Sequence, residues 1–312
     1  MEGIMYDLLI IGAGPAGMGA AVYAARAGIK FALIDRSTII GGQVLTTYEV
    51  DNYLGLPQLS GSEISTKFQE HVDKLNVPFI RADVQKIENL PDKKIIRTDK
   101  GDFDSRAVLL ATGASHSMLG VSGEQKLAGM GVSYCATCDG AFFKKKTVAV
   151  IGGGDVAVED AIFLAGICQK VYLVHRRSEL RAAMSLQKKL FSLENVEMVW
   201  DSEVKEICGD DMVESISVYN KKRDEVSSLE VNGVFIAVGI VPNTELFQGL
   251  VEMDEKGYIL ADETCKTSEK GLFAAGDIRK KKMRQIITAV ADGANAVNSV
   301  QEYFIENMFQ KN

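Results

Sequence analysis

Two glycine-rich turns, Gly12-Ala13-Gly14-Pro15-Ala16-Gly17 and Gly152-Gly153-Gly154-Asp155-Val156-Ala157, each stand between a short apolar run and a helical run, with no third such turn after them. Between the two lies a CxxC, Cys135-Ala136-Thr137-Cys138-Asp139. These observations predict an α/β chain of two Rossmann-like, three-layer ββα dinucleotide-binding domains, the second inserted into the first. The predicted boundaries are 1–115 with 245–312 for the first domain and 116–244 for the second. A length of 312 residues agrees, since it exceeds what one hydrophobic core usually supports.

The run Tyr6–Ile11 is short and apolar, as a buried strand requires, and the first glycine turn follows it at once. Its glycines permit a tight bend and close backbone approach. The amides at the start of the helix, which runs to about Ala27, are then free to bind a pyrophosphate. The next strand, Phe31–Ile34, ends in Asp35, near the ~20-residue offset at which an acid holds a ribose hydroxyl. Gly12, Gly14, Pro15, Ala16, Asp35 and the adjacent Arg36 are therefore candidate nucleotide contacts.

Gly41-Gly42-Gln43 through Asn52-Tyr53 reads as an ordered loop or a ligand contact, and its composition does not choose between them. Helical spacing returns from Gly61 to about Leu75, and short strand-like pieces, with Val84 among them, alternate with turns through Asp102. Val108–Gly113 reads as a buried strand. Its small ending, Ala111-Thr112-Gly113, suits packing against a cofactor and equally an ordinary strand exit.

After Gly113 the pattern restarts. Thr147–Ile151 is a second apolar strand, the second glycine turn follows, and Val158–Leu164 is helical. Gly152, Gly154, Asp155, Val156, Ala157 and Glu159 are candidates for a second nucleotide. After the next strand, Val171–Val174, the expected acid is replaced by His175-Arg176-Arg177, with Arg181 a turn further on. Cations at that offset suit a 2′-phosphate, so NADP(H) is expected over NAD(H), the alternative being a basic solvated turn. Asn232–Gly239 echoes the earlier strand ending, with Val238 and Gly239 at its tip. Gly271–Asp277 is a further strand ending in Gly276-Asp277, and Arg284-Gln285-Ile286 leads into a helix through Val300. This last segment should complete the first domain, with crossings near Ala114–Leu119 and Pro242–Glu245.

Two cysteines at CxxC spacing can close a small reversible disulfide, and a helix N-terminus can lower a thiol pKa. The same spacing could be half a zinc site, but zinc needs a second pair of ligands. Cys168, Cys208 and Cys265 are isolated, and His71, His116 and His175 form no ligand-spaced cluster. Redox use therefore ranks ahead of zinc, with an inert structural disulfide third. Asp139 is the candidate general acid and base, or equally an acid stabilising a helix N-terminus.

Five cysteines is a low, odd count that argues for a reducing compartment, by default the cytoplasm. The N-terminus lacks a signal-like region and no apolar stretch approaches membrane length, so a soluble protein is expected. A net charge of −7 disfavours a nucleic-acid partner. The basic runs Lys144–Lys146 and Arg279–Lys282 read most simply as solvated faces, though each lies beside a proposed site and could steer an anionic partner.

Taken together, the two glycine turns, Gly41-Gly42-Gln43, Ala111-Thr112-Gly113, Cys135-Ala136-Thr137-Cys138-Asp139-Gly140, the His175-Arg176-Arg177 turn, Gly276-Asp277 and Arg284-Gln285 resemble the low-molecular-weight thioredoxin reductases of bacteria. The resemblance spans essentially the whole chain. It implies FAD in the first domain, with Gly41, Gly42, Gln43, Asn52, Asp277, Arg284 and Gln285 among its contacts, together with NADPH in the second domain and a homodimer. It further implies that NADPH reduces the flavin, the flavin opens a Cys135–Cys138 disulfide, and the dithiol reduces thioredoxin or a thioredoxin-like protein. Met130 stands where family members often carry arginine, and Ala141 where a second aromatic is usual before Phe142 and Phe143. Leu54 and Ala291 replace a usual proline and glycine. The competing readings are a flavin-dependent dithiol oxidase or ferredoxin-driven reductase on the same fold, either of which would lack the basic turn, and a non-catalytic redox sensor or zinc-stabilised binding protein that retains the fold.

Overall fold

The computed structural model describes residues 4–47, 50 and 52–309. The chain divides into two compact units, one of Met1–Leu45, Tyr53–Ser115 and Val241–Asn312, the other of Thr46–Asn52 and His116–Ile240. The second crossing falls at 241 where the sequence suggested 245, and Thr46–Asn52 groups with the inserted unit.

In chain order the regular elements begin β1 (Met5–Ile11), α1 (Pro15–Arg26), β2 (Phe31–Asp35), α2 (Gly61–Lys74), β3 (Phe79–Arg81), β4 (Val84–Asn89), β5 (Lys94–Thr98), β6 (Gly101–Leu110) and β7 (Ala114–His116). The inserted unit contributes β8 (Val132–Ser133), α3 (Ala136–Asp139), β9 (Thr147–Gly152), α4 (Asp155–Ala165), β10 (Lys170–Val174), α5 (Met184–Phe191), β11 (Val196–Val199), β12 (Ser202–Cys208), β13 (Ser215–Asn220), β14 (Glu225–Glu230) and β15 (Gly233–Ala237). The chain closes with β16 (Ile240–Pro242), β17 (Leu272–Ala274) and α6 (Ile286–Phe309). β7 and β16, which carry the two crossings, pair with each other.

In the first unit β3, β2, β1, β6 and β17 form a parallel layer, and β6 is long enough to pair antiparallel with β5 as well. β1 is apolar throughout Leu8–Ile11 because both faces of this layer are covered. Leu8 and Ile10 face α1 and α6, while Leu9 and Ile11 face the cluster of Ile87, Ile96, Phe247 and Ile259. Truncating any of these fully buried residues to alanine should cost about 2–5 kcal/mol. α1 is rich in alanine and glycine because α6 lies almost against its backbone: a Cβ on Gly293 would sit 2.3 Å from the Ala16 carbonyl oxygen. α6 continues past the predicted end at Val300, since Tyr303 and Phe304 extend the same buried face.

The inserted unit repeats this plan. Its parallel sheet runs β11-β10-β9-β15-β8. Val148, Val150 and Leu173 face α4 and α5, and Ala149, Ile151 and Val174 face the antiparallel meander β12-β13-β14. Among the described residues no helix is long and apolar enough to cross a membrane.

One of the two basic runs departs from its reading as a solvated face. Lys144–Lys146 is exposed, but Arg279 is only 3% exposed and the Lys281 side chain 7%. Both pair with Asp292, itself 2% exposed, on α6.

Candidate active site

The first glycine turn has three glycines held for different reasons. Gly12 has φ +107°, and a Cβ there would meet the Ala111 carbonyl oxygen at 2.4 Å; one on Gly17 would meet the Gly12 oxygen at 1.8 Å. These two are required by the fold. Gly14 is not: its φ of −80° is ordinary, and the nearest atom to a Cβ would be the Gly42 Cα at 4.0 Å. Neither backbone nor packing demands glycine there, so the open space suits a ligand brought against the main chain. The α1 N-terminus beside it has Pro15 at its start, no side-chain cap and no acid in its first turn, leaving its amides available to an anion. Asp35 accepts the Ala13 amide at 2.7 Å and the Ser37 amide at 2.7 Å, so it shapes the turn directly and presents its remaining lone pairs. Arg36 is exposed and loosely paired with Asp83 at 4.0 Å.

The second turn repeats the logic. A Cβ on Gly152 would lie 2.5 Å from the Ala237 carbonyl oxygen, whereas one on Gly154 would meet nothing within 4 Å. Ala157 takes the position of the third glycine. Asp155 accepts the Ala183 amide at 2.8 Å, tying the basic loop to the start of α4. Val156 and Glu159 are exposed on α4, as is Val238 beyond β15. Within the basic turn the four candidate cations part company. Arg176, Arg177 and Arg181 are exposed, but His175 is 4% exposed with its ring over Gly153 and Nε2 3.0 Å from the Glu179 carbonyl. Burial, with the charges of Arg181 and Arg176 nearby, holds the imidazole below its usual proton affinity. His175 is a neutral packing group, and the arginines alone carry the positive charge.

Cys135 and Cys138 form a disulfide, with Cα atoms 5.3 Å apart, on the single turn of α3. Ser133 organises this turn: its hydroxyl donates to Asp139 Oδ2 at 2.5 Å and accepts the Cys135 amide at 3.1 Å. Asp139 Oδ1 is buried with no hydrogen-bond partner. Burial raises the Asp139 pKa, and the Ser133 hydrogen bond only partly opposes it. A carboxyl so placed holds a proton more readily than a solvated one, which suits proton exchange with a departing thiolate. Phe143 is core, edge-on to Phe235 at 5.2 Å, while Phe142 is half-buried. Cys168 and Cys265 are buried free thiols, pushed up to about 11 and about 12 by burial. Among the described residues no group of three or more His, Cys, Asp or Glu side chains could hold a metal ion.

A third cluster surrounds the end of β6 and the Gly276-Asp277 turn. Asn243 donates to the Thr112 carbonyl at 2.9 Å, its carbonyl accepts the Thr112 hydroxyl at 2.7 Å, and its amide reaches the Gly113 carbonyl at 3.0 Å. Gln43 donates to the Ala114 carbonyl. Ala111 and Val84 are buried, Gln285 and Ile286 half-buried, and Gly41, Gly113 and Gly276 all have positive φ. Asn52 and Gly239 lie at exposed positions. Two buried polar atoms here have no hydrogen-bond partner: Asp277 Oδ1 and Arg284 Nε, the latter's guanidinium standing 4.1 Å over the Tyr258 ring. Orphaned buried acceptors and donors are rare, and a hydroxyl- and phosphate-bearing cofactor would satisfy such a pair. Asn243 and Ser133 escaped sequence reasoning, because one acts across 131 residues and the other is a lone serine two positions before the CxxC. The only sequence signal for Ser133 is that proximity.

The model of the pyridine nucleotide-disulphide oxidoreductase family matches residues 6–293. A thioredoxin reductase of Peptoclostridium litorale is 43% identical over 316 residues, 99% of each chain, and one of Bacillus subtilis is 43% identical over 97% of this chain and 96% of its own. The crystal structure of thioredoxin reductase from Streptococcus pyogenes superposes with a TM-score of 0.92 at 46% identity, covering 97% of this chain and 99% of that one. The chain therefore belongs to the pyridine nucleotide-disulphide oxidoreductase family, in its thioredoxin reductase branch, a class of oxidoreductases that use FAD and NADPH.

Proposed function

We propose that this enzyme takes electrons from NADPH and, through FAD and then the Cys135–Cys138 pair, reduces the disulfide of thioredoxin or a thioredoxin-like protein. The observation that carries the reading is the closed disulfide on a turn whose adjacent carboxyl, Asp139, is buried with one oxygen unpartnered. Bound FAD supplies the two-electron chemistry that connects a hydride donor to a disulfide. Gly12, Gly14, Pro15, Ala16, Asp35, Arg36, Gly41, Gly42, Gln43, Asn52, Val84, Ala111, Thr112, Gly113, Gly276, Asp277, Arg284, Gln285 and Ile286 would hold it, with the open face of Gly14 and the uncapped α1 amides receiving its pyrophosphate. Gly152, Gly154, Asp155, Val156, Ala157, Glu159, Val238 and Gly239 would hold NADPH, with Arg176, Arg177 and Arg181 meeting its 2′-phosphate and His175 supporting the turn. The first unit is thus read as the FAD-binding domain and the inserted unit as the NADPH-binding domain.

The thiol step balances within the chain. Two electrons and two protons open Cys135–Cys138 to a dithiol. One thiolate attacks the partner's disulfide and forms a mixed disulfide; the other cysteine then displaces the partner's second thiol and restores the Cys135–Cys138 bond. Asp139 takes and returns the proton these steps exchange. The exposed Arg176 and Arg177 favour NADPH over a ferredoxin as the electron source. The reading includes a homodimer, from the resemblance, and a cytoplasmic location, supported by the low cysteine count.

The test is an anaerobic assay of oxidised thioredoxin reduction with NADPH and with NADH. Fast turnover with NADPH, and slow turnover with NADH, is expected. A yellow protein bleached by NADPH that leaves thioredoxin and thioredoxin-like disulfides oxidised would overturn the assignment.

A further inference from the structure

Alternate members of the basic run Arg279–Lys282, Arg279 and Lys281, are buried on one carboxylate. Asp292 Oδ2 accepts the Gly276 amide at 2.9 Å, Arg279 Nε at 2.8 Å and Lys281 Nζ at 2.9 Å, and Oδ1 accepts Arg279 Nη2 at 2.6 Å. A buried ion cluster is no stabiliser in itself, because apolar residues of equal volume often serve a core as well. What this one does is local. Through the Gly276 amide it fixes the turn that presents Asp277, at a residue with φ +80° whose Cβ would lie 2.8 Å from that of Ala16 on α1. Lys281, held by Asp292 and within 3.4 Å of the Thr288 hydroxyl, also stands 3.9 Å from Asp277 Oδ1, the buried oxygen that lacks a hydrogen-bond partner.

Lys281 bridges the two buried carboxylates, Asp292 at 2.9 Å and Asp277 at 3.9 Å, while Arg279 pairs with Asp292 and, toward the surface, with Glu263 at 3.2 Å. We propose that Asp292 and Lys281 are positioning residues for the cofactor contact of Asp277, Asp292 setting the Gly276-Asp277 turn and Lys281 supplying the charge that keeps Asp277 a hydrogen-bond acceptor. This rests on the reading of Asp277 as an FAD contact. Burial dominates at Asp277 and raises its pKa on balance, with Asp292 adding to it, while Lys281 and Arg284 oppose the rise by favouring the ionised form; Tyr258 lies under Arg284, and the first turn of α1 brings no acid. Removing Lys281 leaves burial and Asp292 less opposed. Asp277 then takes up a proton at higher pH than in the unaltered protein, and one of its acceptor oxygens becomes a donor there.

The test follows FAD released into ultrafiltrates as holoenzyme is diluted between pH 5.5 and 8.5, for the unaltered protein, Lys281→Met, Lys281→Arg, Asp292→Asn and Asp277→Asn, with thermal unfolding measured alongside. Lys281→Met should bind FAD about tenfold more weakly at neutral pH, the size of a lost charge-assisted contact. Its loss should deepen as pH falls, from a higher starting pH than in the unaltered protein, and Lys281→Arg should restore most of the affinity. Asp277→Asn should be weak at every pH with a flat profile. Asp292→Asn should weaken FAD binding more than Lys281→Met; should it fail to fold, the lysine pair decides alone. Unchanged affinity and pH profile in Lys281→Met would overturn the proposal, as would equal pH-independent losses in Lys281→Met and Lys281→Arg that track the drop in unfolding temperature. FAD affinity unchanged in Asp277→Asn would instead overturn the reading of Asp277 on which it rests.

Discussion

The two glycine turns are the same device built twice, and they differ where the following strand ends. In both, the outer positions are closed by backbone, Gly12 by Ala111 and Gly152 by Ala237, while the middle glycine faces open space. In the first, β2 ends in Asp35, whose carboxylate accepts the Ala13 amide and gives the turn an acceptor. In the second, β10 is followed by a buried His175 and then two exposed arginines. The strand–turn–helix frame is the same in both, and the two proposed nucleotide sites differ in the one or two residues past the next strand.

The harshest way to break the comparison is to close each open face separately. Gly14→Val should lose FAD and Gly154→Val should lose NADPH, each by on the order of 100-fold or more, because a branched side chain fills the ligand's space. Since a Cβ at position 14 would meet protein only at 4.0 Å and one at 154 nothing within 4 Å, both variants should keep near-normal unfolding temperatures as ligand-free proteins; ligand titration and circular dichroism would check this. Loss of both ligands in either variant would show the turns to be coupled.

Next in size, Arg176→Ala with Arg177→Ala should cut NADPH affinity about tenfold or more per lost contact and leave NADH nearly untouched, as charge-assisted contacts to phosphate are worth about 1.5–3 kcal/mol. Steady-state kinetics with both nucleotides reads this. Equal losses for the two would return the basic turn to an ordinary solvated surface.

These differences were unequally legible. Apolar runs such as Leu8–Ile11 and Val148–Ile151 announce strands because burial on both faces leaves no room for polar residues, and glycine turns announce themselves by spacing. Arg279 and Lys281 did not, because a basic run gives no sign that Asp292 lies under it. His175 misled for the opposite reason: an ionisable side chain in a basic run was counted as a cation, when packing over Gly153 makes it neutral. Asn243 ties Thr112 and Gly113 from the far crossing, a role visible only once the chain has returned.

A smaller effect separates stability from chemistry at Asp139. Its pKa is raised in the folded state, so the protonated form favours folding, and that contribution is lost as pH rises from the unfolded value of 3.8 through the folded one. Asp139→Asn should therefore unfold at a slightly higher temperature than the unaltered protein at pH 7.5, with little difference at pH 3.5, while its thiol exchange slows. Scanning calorimetry and stopped-flow mixing with thioredoxin would measure the two, and a destabilised Asn variant at neutral pH would contradict the burial argument. The smallest effect is expected at Phe142: Phe142→Ala should raise KM for the protein disulfide a fewfold and leave reduction of a small aromatic disulfide unchanged, since half-exposed aromatics anchor partners. Parallel losses on both substrates would make Phe142 core.

The most direct measurement of the electron path is a thiol count after one turnover. Protein mixed anaerobically with one equivalent of NADPH is alkylated at neutral pH and mapped by mass spectrometry. Buried Cys168 and Cys265, which hold their protons to about 11 and about 12, should stay unlabelled. The account predicts new labels at Cys135 and Cys138 together, two per NADPH consumed; a fully reduced flavin with Cys135–Cys138 still closed would contradict it.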